Sequence, residues 1–404
     1  MGCGAPSKPV HYGTRLPSQR EGESEIVVSS ELTNDTYNNE TLADSFLATV
    51  EKHGNRPFYG TREFLKDGTR GKYQWKTYKE IYENSRALGS SIRGEELAPL
   101  IEDDMPIRCV GVHSKNREEY VTLVEACVLY SVTLVPLYDT LGPNVVEYIL
   151  DHTRMTTVFC SAEAVQSVLG LAAEGKANQL KNVVLFEEIT DDLAKKAKDG
   201  NLNLLSFQDL IKKGRENAAQ PILPKPDDVY YISYTSGTTG TPKAAVLTHK
   251  NIYTNISSSL HIFDVTHEDV YISYLPLAHM AEGTAFQMMV RQGVAIGVYS
   301  GDPRALVGDL AELKPTVFGG VPRVYNRFYD MIRNKLREAT GKKKKVADMA
   351  IETKMKNYKA KGTYKHAVYD KLVFSKIKAV LGGRVRMMLT GAAPIHPEVL
   401  CFLK

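Results

Sequence analysis

Hydrophobic positions recur along this chain with the period of a helix in some stretches and with the period of a strand in others. Residues 41–50 and 77–92 place apolar side chains every three or four positions, which predicts two amphipathic helices. Between them, residues 58–73 predict a β-hairpin with Asp67-Gly68 at its turn. The polar, turn-rich residues 1–40 are expected to form an extended arm.

Further along, short apolar runs alternate with amphipathic stretches. The runs predict strands at 107–112, 133–136, 157–160, 182–186, 228–234, 244–249, 271–275, 294–298, 316–318 and 385–389. The stretches predict helices at 117–130, 142–152, 162–173, 305–313 and 323–338. This order is typical of a mostly parallel sheet with helices on its faces. We therefore predict an α/β fold with two subdomains, 41–225 and 226–404.

Composition excludes several classes of protein. The chain has 51 basic and 47 acidic side chains, a balance too mild to indicate a nucleic-acid partner. It has no run of about twenty uncharged apolar residues, and its polar start does not resemble a secretory signal. The five cysteines show no metal-ligand spacing. Cys109, Cys127 and Cys160 lie in apolar surroundings, so we expect buried, free thiols and a reducing compartment.

Two features bear on membranes. Lysines concentrate at 341–345 and continue at Lys354, Lys356, Lys359, Lys361 and Lys365. They form either a solvated helix face or a surface for anionic lipid headgroups. The opening Met1-Gly2-Cys3 also suggests a lipid anchor at Gly2 and Cys3, because two acyl chains hold a protein at a membrane far better than one. Against that anchor, Pro6 stands where myristoylation favours Ser or Thr.

The most informative stretch is the loop at residues 235–243, which connects two predicted strands. Its glycines allow backbone N–H groups to face an anion, and hydroxyls and an ammonium group add further donors. These residues are Thr235, Ser236, Gly237, Thr238, Thr239, Gly240, Thr241 and Lys243. The pattern predicts a polyphosphate-binding loop, and the alternative is a polar hairpin turn. Because Pro242 precedes the lysine and a strand follows it, the loop is not a standard P-loop. Asn251 is expected to cap a helix after that strand.

This loop resembles the phosphate loop of the adenylate-forming (AMP-binding) enzymes. Other segments resemble the long-chain fatty acyl-CoA synthetases within that family, namely residues 59–62, 73–78, 274–282, 318–325 and 389–395. The resemblance extends from about His11 to Lys404. It implies the large N-terminal domain of the adenylate-forming fold, with stacked, mostly parallel sheets. It also implies a ligase that uses ATP, Mg²⁺, coenzyme A and a long-chain fatty acid at the cytoplasmic face of an intracellular membrane, such as the endoplasmic reticulum.

The resemblance assigns roles to particular residues. The loop holds the β- and γ-phosphates of ATP, and Thr235 or Thr238 supplies a hydroxyl ligand to Mg²⁺. Adenine lies against Gly391, Ala392 and Ala393. The expected catalytic residues are His279, Thr235 and Lys243.

Two further segments are expected to contact the acyl substrate. His279, Met280 and Glu282 line the place where the carboxylate meets the α-phosphate, with Glu282 either positioning His279 or forming a surface charge. Taken alone, His279 is more typical of a core histidine. Gly319, Gly320 and Val321 flank the acyl tunnel or form a plain strand-to-helix turn. Because these segments follow predicted strands, we expect them to converge on one site.

The sequence departs from the family in two respects. Ala244 replaces the usual glycine after the loop lysine, which matters only if that position needs a positive φ. The chain also ends at Lys404, before the expected aromatic-Gly-x-Thr-Glu motif, the ribose-binding aspartate, the hinge and the C-terminal domain with its catalytic lysine. We therefore expect a truncated chain with poor activity alone. The alternatives are a non-catalytic nucleotide- or acyl-binding protein and an adenylating ligase for a different, aromatic acid.

Overall fold

The computed structural model describes residues 14–16, 26–28, 39–102, 105–138, 142, 144–236, 242–338, 340–391 and 393–403. The chain divides into two compact units. We call Asp35–Glu268 with Ser273–Gly301 the larger unit, and Met1–Asn34, Asp269–Ile272 and Asp302–Lys404 the smaller unit.

The strands are numbered in chain order. They are β1 (Thr14–Leu16), β2 (Ile26–Val28), β3 (Pro57–Phe64), β4 (Arg70–Thr77), β5 (Leu100–Ile101), β6 (Ile107–His113), β7 (Thr133–Pro136), β8 (Thr157–Cys160), β9 (Asn182–Leu185), β10 (Asn203–Ser206), β11 (Val229–Thr235), β12 (Lys243–Thr248), β13 (Val270–Ser273), β14 (Ala295–Val298), β15 (Val317–Gly320) and β16 (Met387–Thr390).

The helices follow the same convention. They are α1 (Leu42–His53), α2 (Tyr78–Gly94), α3 (Glu118–Leu129), α4 (Val145–Thr153), α5 (Ala162–Ala173), α6 (Asp191–Asp199), α7 (Phe207–Glu216), α8 (His249–Ile262), α9 (Met280–Arg291), α10 (Leu306–Leu313), α11 (Pro322–Glu338), α12 (Gly341–Lys361) and α13 (Pro397–Leu403). Before α13, residues 367–381 form a continuous helical segment of α-, π- and 3-10 turns.

The larger unit contains a sheet in the order β10-β9-β8-β6-β7-β11-β12, with β5 paired to β6. Neighbours from β10 to β11 run parallel, whereas β12 and β5 are antiparallel to their partners. Every residue of β7 and β8 is buried, because helices cover both faces of a parallel sheet. The predicted α/β fold is confirmed. The division at residue 225 stays a prediction, and the strands on either side of it, β10 and β11, belong to this one sheet.

Short-range signals fix the ends of several elements in the larger unit. Thr41 and Thr77 cap α1 and α2 through capping boxes with Asp44 and Glu80. The predicted hairpin is present as β3 and β4, and Thr69 donates to Asp67 at its turn. The prediction for α8 was wrong in one detail, since its N-cap is Thr248.

The residue predicted as that cap, Asn251, is the third residue of α8. Its side chain accepts from the Thr248 amide, and its own amide donates to the Thr248 hydroxyl. Thr248 is the N-cap because it directly precedes the first helical residue. At that position a side-chain oxygen can accept from backbone amides that have no partner within the helix.

The smaller unit contains parallel pairings of β13 with β15 and of β15 with β16. Asp269, just before β13, accepts from the Thr316 hydroxyl at 2.6 Å and from Arg386 Nε at 2.8 Å. A buried carboxylate thus ties together the starts of all three strands. Within the predicted arm, β1 and β2 pair antiparallel, so its described part forms a strand pair.

The cysteines of the described residues fall into two groups. Cys109, Cys127 and Cys160 are buried and free, as predicted. Cys401, in α13, is disulfide-bonded.

Candidate active site

The phosphate-loop candidate connects two paired strands. Thr235 ends β11 and Lys243 begins β12, and the two residues are directly opposite in the antiparallel register. Both are exposed, and the Thr235 hydroxyl lies 3.5 Å from the Lys243 carbonyl oxygen. The predicted strand–loop–strand order is therefore confirmed. Ser236 is exposed, and the predicted ligands Gly237, Thr238, Thr239, Gly240 and Thr241 lie outside the described residues.

The residue before the loop is firmly held. The Tyr234 carbonyl accepts from the Tyr138 hydroxyl at 2.7 Å, and the Tyr234 hydroxyl lies 2.7 Å from His152 Nδ1. Burial raises the pKa of Tyr234, so its hydroxyl stays neutral. The last buried residue of β11 is thus fixed at both its backbone and its side chain, and the chain emerges into solvent directly after it.

Ala244 fits its position without strain. It pairs with Tyr234 inside β12 and is not among the residues with positive φ. An alanine in extended backbone costs little, so the departure from the glycine of the family introduces no strain at position 244.

His279 is the N-cap of α9, and its side chain is exposed. Its Nδ1 accepts from the Ala281 amide at 3.2 Å. In the neutral ring the proton therefore resides on Nε2, which is presented as a donor. The interpretation of His279 as a core residue is wrong, because capping holds the ring at the helix start and leaves it in solvent.

Asn116 is a site residue that the sequence analysis missed. Its Nδ2 donates to the Leu275 carbonyl at 2.7 Å and to Ser273 Oγ at 3.0 Å, and its Oδ1 accepts from the Leu277 amide at 2.8 Å. One side chain therefore fixes the backbone of the loop that leads into His279. A signal was available, since Asn116 is a polar residue just after the carboxyl end of β6.

Glu282 lies in the first turn of α9 and is 1% exposed. Its carboxylate accepts from Ser273 Oγ at 2.8 Å. The interpretation of Glu282 as a surface charge is wrong, and its interaction with Ser273 places it beside the same loop that Asn116 holds. Met280, the first residue of α9, is half-buried.

The same loop also contacts the strand that carries the phosphate-loop candidate. The hydroxyl of Tyr231, in the middle of β11, lies 3.2 Å from the Leu277 carbonyl oxygen. The larger unit thus brings together β11 and the loop that ends at His279.

In the smaller unit, Gly319 and Gly320 are the last residues of β15, and Val321 separates them from α11. Both glycines pair with β16, Gly319 with Leu389 and Gly320 with Thr390, so the segment lies where β15 passes into α11. A methyl group on Gly319 would lie 3.3 Å from the Tyr271 hydroxyl, so only glycine fits without displacement.

Gly391 and Ala393 follow β16 and are exposed, whereas Ala392 lies outside the described residues. Since β15 and β16 are adjacent and parallel, Gly320 and Gly391 lie at neighbouring carboxyl ends. The Tyr325 hydroxyl lies 2.9 Å from the Phe318 carbonyl and 2.8 Å from the Leu389 carbonyl, which holds both strand ends. The smaller unit therefore brings its two predicted segments together.

Neither a metal cluster nor a membrane span occurs in the part of the chain that the structure describes. No group of three or more His, Cys, Asp and Glu side chains there could hold a metal ion. Among the helices of those residues, none combines the length and the apolar character that crossing a bilayer requires.

Two relatives illustrate the similarity to known sequences. Long chain acyl-CoA synthetase 6, peroxisomal, of Arabidopsis thaliana is 41% identical over 365 residues, which cover 90% of this chain and 50% of the relative. Long-chain-fatty-acid–CoA ligase 5 of Rattus norvegicus is 38% identical over 369 residues, covering 90% and 52%. The chain thus spans about half the length of these relatives.

Solved structures support the fold. The adenylation domain of a carboxylate reductase from Mycobacterium chelonae superposes with a TM-score of 0.72 at 20% identity, covering 91% of this chain and 56% of that one. A long-chain-fatty-acid-CoA ligase from Archaeoglobus fulgidus gives a TM-score of 0.63 at 20% identity, covering 91% and 60%.

The family profile described as AMP-binding enzyme matches residues 46–404. That match includes β11, β12, the loop between them and the segments around His279, Gly319 and Gly391. The chain therefore belongs to the AMP-binding enzyme family.

Proposed function

We propose that this chain is the adenylate-forming part of a long-chain fatty acid–CoA ligase. In the first step, an oxygen of the fatty acid carboxylate attacks the α-phosphorus of ATP, pyrophosphate leaves with the electron pair of the broken P–O bond, and acyl-AMP forms. In the second step, the thiol of coenzyme A attacks the acyl carbon, AMP leaves, and the thiol proton passes to solvent. The Thr235–Lys243 hairpin is the observation that carries this proposal, together with the identity to long-chain acyl-CoA synthetases.

The hairpin suits an ATP tail. Thr235 and Ser236 expose hydroxyl donors, and Lys243 adds an exposed ammonium group across the strand pair. Buried Tyr234 fixes the end of β11 directly before Thr235. Both substrates are anionic, and preorganised cationic and N–H groups offset their repulsion.

The exposed Thr235 hydroxyl also fits Mg²⁺, which prefers oxygen ligands. We propose that Thr235 or Thr238 supplies a hydroxyl ligand to the ion. When bound, the ion neutralises phosphate charge. Thr235 ends β11 directly after Tyr234, whose backbone and side chain are both held by hydrogen bonds.

His279 is the proposed contact for the reacting carboxylate. Its Nε2 donor faces solvent while Nδ1 is occupied by the Ala281 amide, so the imidazole can orient a carboxylate oxygen without first changing tautomer. Asn116 and Glu282 keep the preceding loop in place through Leu275, Leu277 and Ser273.

The smaller unit supplies the other proposed contacts. Gly391, Ala392 and Ala393 are the proposed contacts of adenine, because glycine and alanine carry no bulky side chain. Gly319, Gly320 and Val321 contribute to the acyl-chain site, where missing side chains leave room for an alkyl chain.

We further propose that the protein works at the cytoplasmic face of an intracellular membrane. The lysine-rich α12 is the feature that supports a peripheral contact with anionic lipid. The proposed anchor residues, Gly2 and Cys3, lie outside the described residues.

The test is ATP–pyrophosphate exchange by the whole protein with palmitate. We expect Lys243→Ala to lower the exchange rate by about two orders of magnitude, as loss of one preorganised electrostatic partner does. Lys225→Ala removes another exposed lysine from the larger unit and should have no effect. Equal rates in the two variants would refute the role of the hairpin.

The same assay separates the alternatives. Exchange with an aromatic acid and none with palmitate would favour a ligase for a different carboxylic acid. ATP binding without exchange for any acid would favour a non-catalytic nucleotide-binding protein.

A further inference from the structure

A groove crosses the surface of the smaller unit between α11, α12 and the helical segment 367–381. Its volume is about 590 Å³. The floor is apolar and includes buried Ile332 and Ala347, with Ile377 and Val380 half-buried beside them. None of these residues belongs to the candidate active site described above.

The rim of the groove is cationic. Lys335, Lys342, Lys343 and Lys376 line it, all four are exposed, and no carboxylate is among the lining residues. Within the described residues, none of the four has an ion-pair partner, whereas Lys344 on the same helix pairs with Asp348 at 3.6 Å. The four positive charges around the groove repel one another, and an anion bound among them would reduce that repulsion.

Large apolar side chains project beside these lysines. Leu372 is 58% exposed and Val346 is 39% exposed, and both line the groove. Met349 on α12 and Val368 on the helical segment are exposed as well. Apolar side chains interleaved with lysines are typical of a surface that lies in the headgroup region of a bilayer.

Side-chain contacts hold α12 against the helical segment 367–381. Lys354 of α12 forms an ion pair with Asp370 of the helical segment, and its Nζ lies 4.0 Å from the centre of the Phe374 ring. Tyr358 stacks on Tyr364 with ring centroids 4.1 Å apart. The Lys354 contacts fix α12 against the helical segment, so the groove is formed without a ligand.

We infer that this groove binds one anionic phospholipid at a membrane surface, with an acyl chain along the apolar floor and the phosphate among the rim lysines. Charge complementarity selects this occupant, because the rim offers four cations and the floor accepts only apolar groups. The inference deepens the proposed membrane contact by naming the residues that make it. It does not depend on the adenylation chemistry.

The experiment is co-sedimentation of the whole protein with vesicles of phosphatidylcholine alone or mixed with phosphatidylserine. We expect binding only to the mixed vesicles. The triple variant K342E/K343E/K376E should bind at least about 100-fold more weakly, because three charges that an anionic surface attracts are lost and three that it repels are added. The matched variant K195E/K198E/K212E makes the same charge change on exposed lysines of the larger unit and should bind within about twofold of the unchanged protein.

A second pair of variants tests the exposed apolar side chains beside the lysines and keeps the charge constant. Leu372→Ser should weaken binding about tenfold, since it removes a large apolar contact. Ile262→Ser removes an even more exposed apolar side chain from the larger unit and should leave binding unchanged.

Three results would overturn the inference. They are equal losses in the two lysine triples, no binding of the unchanged protein to phosphatidylserine vesicles, and capture of an acidic amphipathic peptide or self-association in place of lipid. ATP–pyrophosphate exchange with a soluble fatty acid should be unchanged in the groove variants. A failure of the groove is thus distinguishable from a failure of the proposed ligase activity.

Discussion

Asn116 donates its side-chain amide to the carbonyl oxygen of Leu275 at 2.7 Å, across 159 residues of sequence. The same side chain accepts from the Leu277 amide at 2.8 Å, so both hydrogen-bonding ends of the amide are used by one loop. That loop ends at His279, the N-cap of α9. The position of the proposed carboxylate contact thus depends on a side chain that precedes α3.

Replacing Asn116 with alanine should loosen this loop while leaving the phosphate loop intact. We expect the Leu277 amide to exchange its hydrogen at least tenfold faster, because loss of a buried hydrogen bond costs about 1–3 kcal/mol. The rate of ATP–pyrophosphate exchange should fall by a similar factor, with the affinity for ATP unchanged.

Asn334→Ala, on the exposed face of α11, is the matched control for that variant. Hydrogen exchange followed by mass spectrometry, with ATP titration calorimetry, provides both measurements. A parallel loss of ATP affinity in Asn116→Ala would show that Asn116 supports the fold in general and does not act through the loop.

Glu125 should make stability depend on pH. It is fully buried in α3, where one carboxylate oxygen accepts from Gln287 and the other has no hydrogen-bond partner. Burial raises its pKa to about 8 from an ordinary value of 4.5. Between those two values the folded state holds a proton that the unfolded chain has released, so the free energy of unfolding falls as pH rises.

Glu125→Gln removes that dependence. We expect the variant to exceed the unchanged protein in stability by about 3 kcal/mol at pH 8, and the difference to shrink towards pH 5. Urea unfolding at the two pH values measures it, with exposed Glu216→Gln as the control. A pH-independent difference would show that the carboxyl group does not titrate in this window.

Replacing either of two helical glycines with alanine should change the free energy of unfolding, but in opposite directions. A methyl group on Gly214 of α7 would lie 1.8 Å from the Ala87 carbonyl oxygen of α2, whereas one on Gly170 of α5 meets nothing within 4 Å. We expect Gly214→Ala to destabilise by about 1–3 kcal/mol or more through overpacking. Gly170→Ala should stabilise by about 0.5–1 kcal/mol, because alanine loses less backbone entropy. Thermal unfolding that ranks them the other way would contradict the close approach of α2 and α7.

Removing the Asp269 carboxylate should be costly. Asp269 is buried, and it accepts from Thr316 and Arg386 where three strands begin. Breaking a buried charge pair by removing one partner costs about 3–5 kcal/mol, so we expect a loss of that size for Asp269→Ala. The exposed Lys196–Asp192 pair is the control, and Asp192→Ala should cost less than about 1 kcal/mol. Chemical denaturation of both variants tests the contrast, and similar small losses would show that the Asp269 interaction is not needed.

Local patterns predicted much of the fold. The apolar runs of β6, β7 and β8 identified buried strands, because a strand covered on both faces has no polar side. The elements that the pattern missed include α6, β10 and α7 at residues 191–216 and α9 at residues 280–291. In α7 the buried residues Phe207, Leu210, Ile211 and Gly214 stand at helical spacing, so a periodic signal was available for that helix. β10 is only four residues long and gives little signal of its own.

The sequence alone determined the chemistry of the phosphate-loop candidate, since glycines, hydroxyls and a lysine between two strands need no long-range information. It also determined the caps at Thr41 and Thr77, whose partners lie three residues away. Tertiary structure alone decided that Glu282 is buried, that His279 is exposed and that Asn116 holds the loop between them and β13. Those outcomes depend on contacts between segments that are distant in sequence. The residues next to a side chain in sequence do not determine which distant group satisfies its hydrogen bonds.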